Sequence, residues 1–207
     1  MLKTGIKRLD NYLKGGLKPK KIYELYGEFA SGKTTLTMQT AILNPNKTLF
    51  INATNNFSIK RYNQLAETRE LNKKETLSKI LILNYFNPER LSKNLKKIIN
   101  DEFDLIILDS FSTIYRDYKD QEEKLNKYLK FLSWTARSHN LTVLISNQVY
   151  SDYNNNLKPV GEHSIDNWVN DKIKIEKLNA SERKVIFEKI DGSKKSFYCT
   201  LTEKGIN

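Results

Sequence analysis

Residues 23–35 read Y-E-L-Y-G-E-F-A-S-G-K-T-T, and no other stretch restricts the fold as strongly. A short apolar and aromatic run ends at Tyr26. Gly27 and Gly32 then bracket Glu28, Phe29, Ala30 and Ser31, and are followed by Lys33, Thr34 and Thr35. The spacing satisfies G-x-x-x-x-G-K-[ST] at every fixed position. Such a loop wraps backbone N–H groups around an anionic phosphate at a helix N-terminus, so glycine is needed where a Cβ would block a turn or a close approach. In this motif Lys33 reaches the β and γ phosphates and the Thr34 hydroxyl meets Mg²⁺. Leu36, Ala41 and Ile42 give the following helix an apolar side to pack on a sheet. A chance glycine turn is the weaker reading, because the motif demands a strand before it and a helix after it and the sequence supplies both.

The chain has 207 residues, enough for one domain with its own core. It has no apolar run long enough for a membrane span, and M-L-K-T-G-I lacks the apolar segment of a secretory signal, so it reads as soluble and cytoplasmic. The single cysteine, Cys199, excludes an internal disulfide, and no Cys/His cluster has zinc-site spacing. The net charge of +11 and pI near 9.5 fit an anionic partner, nucleic acid first and membrane lipid second. An excess of Lys over Arg with abundant Asn also fits A/T-rich codon usage, which would leave much of that charge as ordinary solvated surface. The distribution is uneven: residues 1–21 carry seven Lys/Arg against one acid, Asp10.

Residues 4–20 predict a short helix with Ile6, Leu9 and Leu13 on one face, stopped by Gly15-Gly16. Beyond the phosphate-loop helix Pro45 breaks the pattern, and residues 48–51 read as a strand. A helix is expected from about Ser58, with Leu65 and Leu71 inward, then a short helical piece over 74–78 and a strand over 80–83. Pro88 opens another helix, with Leu91, Leu95, Ile98 and Ile99 at i, i+4, i+7 and i+8. In F-D-L-I-I-L-D-S, residues 103–110, four consecutive aliphatics predict a central parallel strand covered on both faces. Asp109 at its carboxyl end sits where ligands bind in open α/β sheets and is the candidate Mg²⁺ carboxylate; the plainer alternative is a turn cap. A helix over 122–139 and a strand over 141–146 follow. Residues 151–161 read as a mobile polar loop, and the chain closes with short strands turning near Asn179 and Asp191-Gly192. The order predicts an α/β fold: a mainly parallel twisted sheet with helices on both faces and a C-terminal antiparallel meander.

These landmarks together resemble the ATPase core of the RecA family, in the archaeal RadA/RadB branch of recombinases and their paralogs. The resemblance rests on T-G-I-x-x-L-D with the later Gly15-Gly16, G-E-F-A-S-G-K-T-T, L-I-I-L-D-S and S-N-Q-V-Y, in that order. P-V-G-E-H from Pro159, Trp168 and T-E-K-G-I from Thr202 look closest to the RadB side of that branch. It covers nearly the whole chain, as one RecA-like ATPase core over 1–207. The resemblance implies ATP and Mg²⁺ as cofactors, the loop from Gly27 on the phosphates, Asp109 in the Mg²⁺ shell, and Gln148 as a γ-phosphate sensor leading into a DNA-binding loop. DNA with little sequence preference and a RadA-like recombinase or other repair protein are the implied partners. Tyr150 and Tyr153 are candidates to stack on bases or to anchor their loop. Lys158 is a candidate phosphate contact. His163 is a candidate nucleotide sensor or DNA contact, or a hydrogen-bonded loop histidine.

Two departures bear on function. The chain starts at the core, so the expected molecule lacks RadA's N-terminal DNA-binding domain and the Phe-x-x-Ala linker that joins filament subunits. In F-I-N-A-T-N-N-F, residues 50–57, Thr54 stands where the family's F-I-D-T-E-G-x-F has its catalytic glutamate. A threonine hydroxyl is too weak a base to activate water at neutral pH, so slow hydrolysis with intact binding is expected. Glu28 is an imperfect substitute, and a shifted alignment would instead make Glu67 the acid. The leading function is an ATP- and DNA-binding accessory of recombination and repair. The alternatives are a small-molecule phosphotransferase, which needs an arginine-rich lid this chain lacks, and a non-catalytic adaptor of the same fold.

Overall fold

The computed structural model describes residues 1–44, 46–84, 88–118 and 120–207; for residues 88–90 and 92 it describes the backbone alone. Pro45, expected to break the pattern, lies outside the described residues. The chain runs α1 (Lys7–Tyr12), β1 (Ile22–Gly27), α2 (Lys33–Leu43), β2 (Lys47–Asn52), α3 (Ile59–Glu67), α4 (Lys73–Ser78), β3 (Ile80–Asn84), α5 (Pro88–Ile98) and β4 (Phe103–Asp109). It continues through α6 (Phe111–Tyr118), α7 (Glu122–Ser138), β5 (Thr142–Asn147), β6 (Val149–Ser151), β7 (Leu157–Pro159), α8 (Glu162–Ile165), β8 (Asp171–Lys177), β9 (Glu182–Lys189), β10 (Lys194–Thr202) and β11 (Gly205–Ile206). One large sheet has the order β11-β10-β9-β8-β1-β5-β4-β2-β3. It is parallel from β8 through β3 and antiparallel from β8 through β11. This is the α/β class expected from the sequence.

The aliphatic runs explain why helices cover both faces. Along β4, Leu105 and Ile107 join one core with Leu36, Met38 and Leu65, while Ile106 and Leu108 join the other with Leu95, Leu129 and Leu132. Successive side chains of a strand point to opposite faces, so a run without alternation must be covered twice. The helices α2, α3 and α4 therefore lie on one side and α5, α6 and α7 on the other. Their starts follow side-chain chemistry: Ser58 Oγ accepts from Arg61 N to cap α3, and Asn72 Oδ1 accepts from Lys74 N and Glu75 N to cap α4.

Four expectations need correction. The short first helix spans Lys7–Tyr12 and ends before the expected stop at Gly15-Gly16, leaving Leu13 as its C-cap. Leu71 is exposed, because α3 ends at Glu67 and the turn through Glu70 (φ 59°) takes residue 71 out of helical phase. α6 is a helix the sequence reading lacks, although Phe111, Ile114 and Tyr118 have helical spacing and are buried. Residues 151–159 belong to an antiparallel hairpin, in which Tyr150 pairs with Lys158 and Val149 with Pro159, and Gly161 caps α8. The Asp152 carboxylate accepts from Asn154 N and Asn156 N at its tip, so side chain-to-backbone bonds shape the turn.

Candidate nucleotide site

β1 is central, and its C-terminal end delivers Gly27 to the start of the loop. A Cβ at Gly27 would lie 2.3 Å from Ile175 O of the neighbouring strand, so the close pairing of β1 with β8 requires glycine there. Gly32 caps α2 with φ 110°, open to glycine and strained for other residues. Between them Glu28, Phe29 and Ala30 are exposed, Phe29 at 91%, while Ser31 is buried and its Oγ has no hydrogen-bond partner. Lys33 folds back along the loop, its Nζ donating to Gly27 O at 2.8 Å and Glu28 O at 2.7 Å. Burial lowers its pKa to about 8, against the opposing pull of Asp109 and Glu28.

A cleft of about 280 Å³ joins this loop to the residues singled out elsewhere. Phe29, Ala30, Lys33, Thr34, Thr35, Thr54, Asp109 and Gln148 all line it. Asp109 is buried at the end of β4, where Ser146 Oγ donates to its Oδ1. Its backbone carbonyl accepts from Ala53 N at 2.7 Å and Thr54 N at 3.2 Å, which ties the Thr54 turn to the carboxylate's own strand. Asn55, in the family's glycine position, has φ 55°, which asparagine tolerates. Asp109 is the one carboxylate among the residues lining the cleft. Glu67 pairs with Lys73 and is not among them.

Gln148 leaves β5 into the hairpin, and its carbonyl accepts from Val160 N at 2.9 Å, so it forms the hairpin's base. Tyr153 is fully exposed at the tip, Tyr150 is half exposed, and Lys158 Nζ lies 3.5 Å from Asp152 Oδ2. His163 is elsewhere: it is exposed on α8, edge-on to Tyr115 at 6.0 Å, and does not line the cleft.

The sequence reading missed two groups. Arg183 is 2% exposed, and its Nε donates to Ser31 O and its Nη1 to Asn179 O and Glu182 O, each at 2.8 Å, with Nη2 at 3.3 Å from Ala30 O. It braces the phosphate loop from behind. The signal was its parity with Val185 and Phe187, which marks an inward-facing position. The second is Glu24, buried within β1. Asn147 Nδ2 donates to Glu24 Oε1 and to Val160 O, both at 2.8 Å, and Lys172 Nζ lies 3.8 Å from Glu24 Oε2. One amide thus joins the strand that enters the phosphate loop to the end of the hairpin's second leg. Burial raises the Glu24 pKa to about 7 despite the Asn147 bond and the Lys172 charge.

The ordered strand, loop, buried carboxylate and strand-end glutamine belong to a recognisable lineage, and the model of the Rad51 family matches residues 1–207. The chain belongs to the Rad51 family, on its RadB branch. It is 38% identical to the DNA repair and recombination protein RadB of Thermococcus sibiricus, covering all of this chain and 94% of that one. Identity to RadB of Pyrococcus furiosus is 36%, over all of this chain and 95% of the relative. The crystal structure of the RadB recombinase superimposes with a TM-score of 0.87 at 34% identity, covering 100% of this chain and 98% of that one. The Rad51-family chain has, among the described residues, no helix long and apolar enough to cross a membrane.

Proposed function

We propose that the chain is an ATP- and DNA-binding accessory protein of homologous recombination and DNA repair, in which ATP acts mainly as a switch ligand. The observation that carries this reading is the single cleft shared by the phosphate loop, Asp109 and Gln148, with Gln148 also forming the base of a hairpin that exposes two tyrosines. The donor set suits a magnesium nucleotide: a hydroxyl from Thr34 and one carboxylate from Asp109 leave the remaining ligands to phosphates and water, as Mg²⁺ prefers. Buried Ser31 Oγ, without a hydrogen-bond partner among the described residues, also fits an anion. Bound Mg²⁺ supplies charge neutralisation of the phosphates. Lys33 adds its ammonium, and loop N–H groups hold the phosphates in place.

Thr54 cannot act as a general base at neutral pH, and the cleft lining offers no second carboxylate, which supports weak hydrolysis. A γ-phosphate within reach of the Gln148 amide would bias the hairpin, and so couple nucleotide to DNA affinity by differential contact with two hairpin states. Proteins named for DNA repair and recombination among the relatives support the same role, with DNA and a recombinase or other repair protein as partners.

The test is titration of labelled single-stranded DNA with and without ATP and Mg²⁺, on the wild type and Lys33→Ala. Nucleotide is expected to change the DNA affinity of the wild type alone. DNA affinity identical with and without bound ATP refutes the switch, and nucleotide affinity unchanged in Lys33→Ala refutes the site.

A further inference from the structure

Seven cations in residues 1–21 have no part in the nucleotide cleft, and folding leaves them less balanced than the sequence suggests. The one acid of that stretch, Asp10, is buried, and its carboxylate is spent on Thr4 N, Thr4 Oγ1 and Gly5 N at 2.8–3.1 Å. Lys21 pairs with Asp171. Lys3, Lys7, Arg8, Lys14, Lys18 and Lys20 are all exposed and have no acidic partner among the described residues. Mutual bonds between Leu2 and Leu17 hold the segments that carry Lys3 and Lys18 side by side, running antiparallel. Tyr12 packs on Phe187 and Phe197, at 5.8 and 6.0 Å, so α1 lies on the face of β9 and β10 from which Lys189 and Lys195 also emerge. Lys189 Nζ lies 5.3 Å from the Tyr12 ring centroid. Of the acids at that margin, Asp191 accepts from Ser193 N, and Asp171, opposite Lys189 in the β8–β9 pair, is paired with Lys21.

We infer that α1 and its flanking lysines form a second nucleic-acid contact, a surface for the phosphate backbone of a DNA duplex, separate from the hairpin. The chemistry selects the ligand. Long flexible cations without an exposed aromatic anchor suit a polyanion whose charge is spread along a line, and demand little geometric fit. A single strand is bound by stacking its bases on exposed aromatic rings, and here the one ring, Tyr12, is half-buried with Lys189 over it. Exposed Tyr150 and Tyr153 put that chemistry on the hairpin instead. A protein partner needs an apolar centre to its interface, and a membrane needs inserted apolar side chains. The exposed large apolar residues in these segments are isolated: Met1 and, beside Lys189, Ile190.

This inference rests on the reading of the chain as a DNA-binding protein, and the experiment separates the two. Duplex and single-stranded affinities are measured against salt for the wild type and for the combined Lys7→Gln, Arg8→Gln and Lys14→Gln variant. Each phosphate contact contributes about 0.9 to the slope of log affinity against log salt on duplex DNA, so the variant's slope should fall by about 2 to 3. Its single-stranded slope, melting temperature and nucleotide affinity should stay those of the wild type. Lys189→Gln with Lys195→Gln, off the helix, should lower the duplex slope in the same direction and keeps the test open if the helix variant misfolds. An unchanged duplex slope in both variants overturns the inference while leaving hairpin binding intact. Wild-type protein that binds single strands but no duplex overturns it alone, and protein that binds neither overturns the parent reading as well. Loss of binding to vesicles of anionic lipid with duplex binding unchanged would assign the surface to membranes and also overturns it.

Discussion

Replacing Arg183 by Met keeps an unbranched apolar stem in the buried slot and removes the guanidinium that braces the phosphate loop. The bond to Ser31 O is buried, so its loss leaves a carbonyl without a donor, at a cost of about 1–3 kcal/mol. The carbonyls of Asn179, Glu182 and Ala30 belong to exposed residues and regain water, so those bonds cost nearer 0.5–1 kcal/mol each. Removing the buried charge itself returns part of this. The sum is roughly 2–4 kcal/mol, or about 5–15 °C in melting temperature for a domain of this size. Because the braced carbonyls belong to the loop, nucleotide affinity should fall as well, by roughly tenfold as the loop loses preorganisation. Differential scanning calorimetry and isothermal titration with an ATP analogue measure both effects. Arg183→Lys should rescue little, since one ammonium cannot span carbonyls on two segments. A Met variant that melts within about 2 °C of the wild type and binds nucleotide equally well would refute the brace.

Three further outcomes follow from the site. Lys33 titrates near 8 in the free protein, and phosphate favours its charged form, so nucleotide affinity should fall as pH rises through about 8, with proton uptake on binding; titration in buffers of different ionisation enthalpy detects this, and affinity flat across that range contradicts it. Thr54→Glu should raise ATP turnover, by up to about 10²- to 10⁴-fold, at similar ATP affinity, and a wild-type rate already equal to that of active recombinases would show that another base operates. Glu24 has a folded-state pKa above its unfolded one, so the native state binds its proton more tightly and this group's contribution favours folding at low pH and is lost as pH rises from about 4.5 to about 7. In Glu24→Gln the corresponding slope of unfolding free energy against pH should flatten, and an unchanged slope would place the titration elsewhere.

The sequence alone determined whatever local chemistry or periodicity encodes. The glycine spacing of the phosphate loop allows few structures, and the four aliphatics before Asp109 leave a strand no solvent-facing side, so a parallel sheet with helices on both faces was legible before any coordinate. The positions of Thr54, Asp109 and Gln148 at the ends of strands were legible for the same reason. Tertiary structure decided what depends on distant partners. Only the parallel alignment of β1, β5, β4 and β2 brings residues 33, 54, 109 and 148 around one cleft, and only the return of β9 behind the loop sets Arg183 against Ser31 O. The hairpin in residues 149–159 rests on the pairing of β6 with β7, the Asp152 tip and the shared Asn147 amide, and strands of three residues each are too short for hydrophobic periodicity to register. Burial of Asp10 was equally invisible in a charge count. Its carboxylate is turned inward by three hydrogen bonds, and that fold-dependent event leaves Lys7 and Arg8 as the exposed charges of α1.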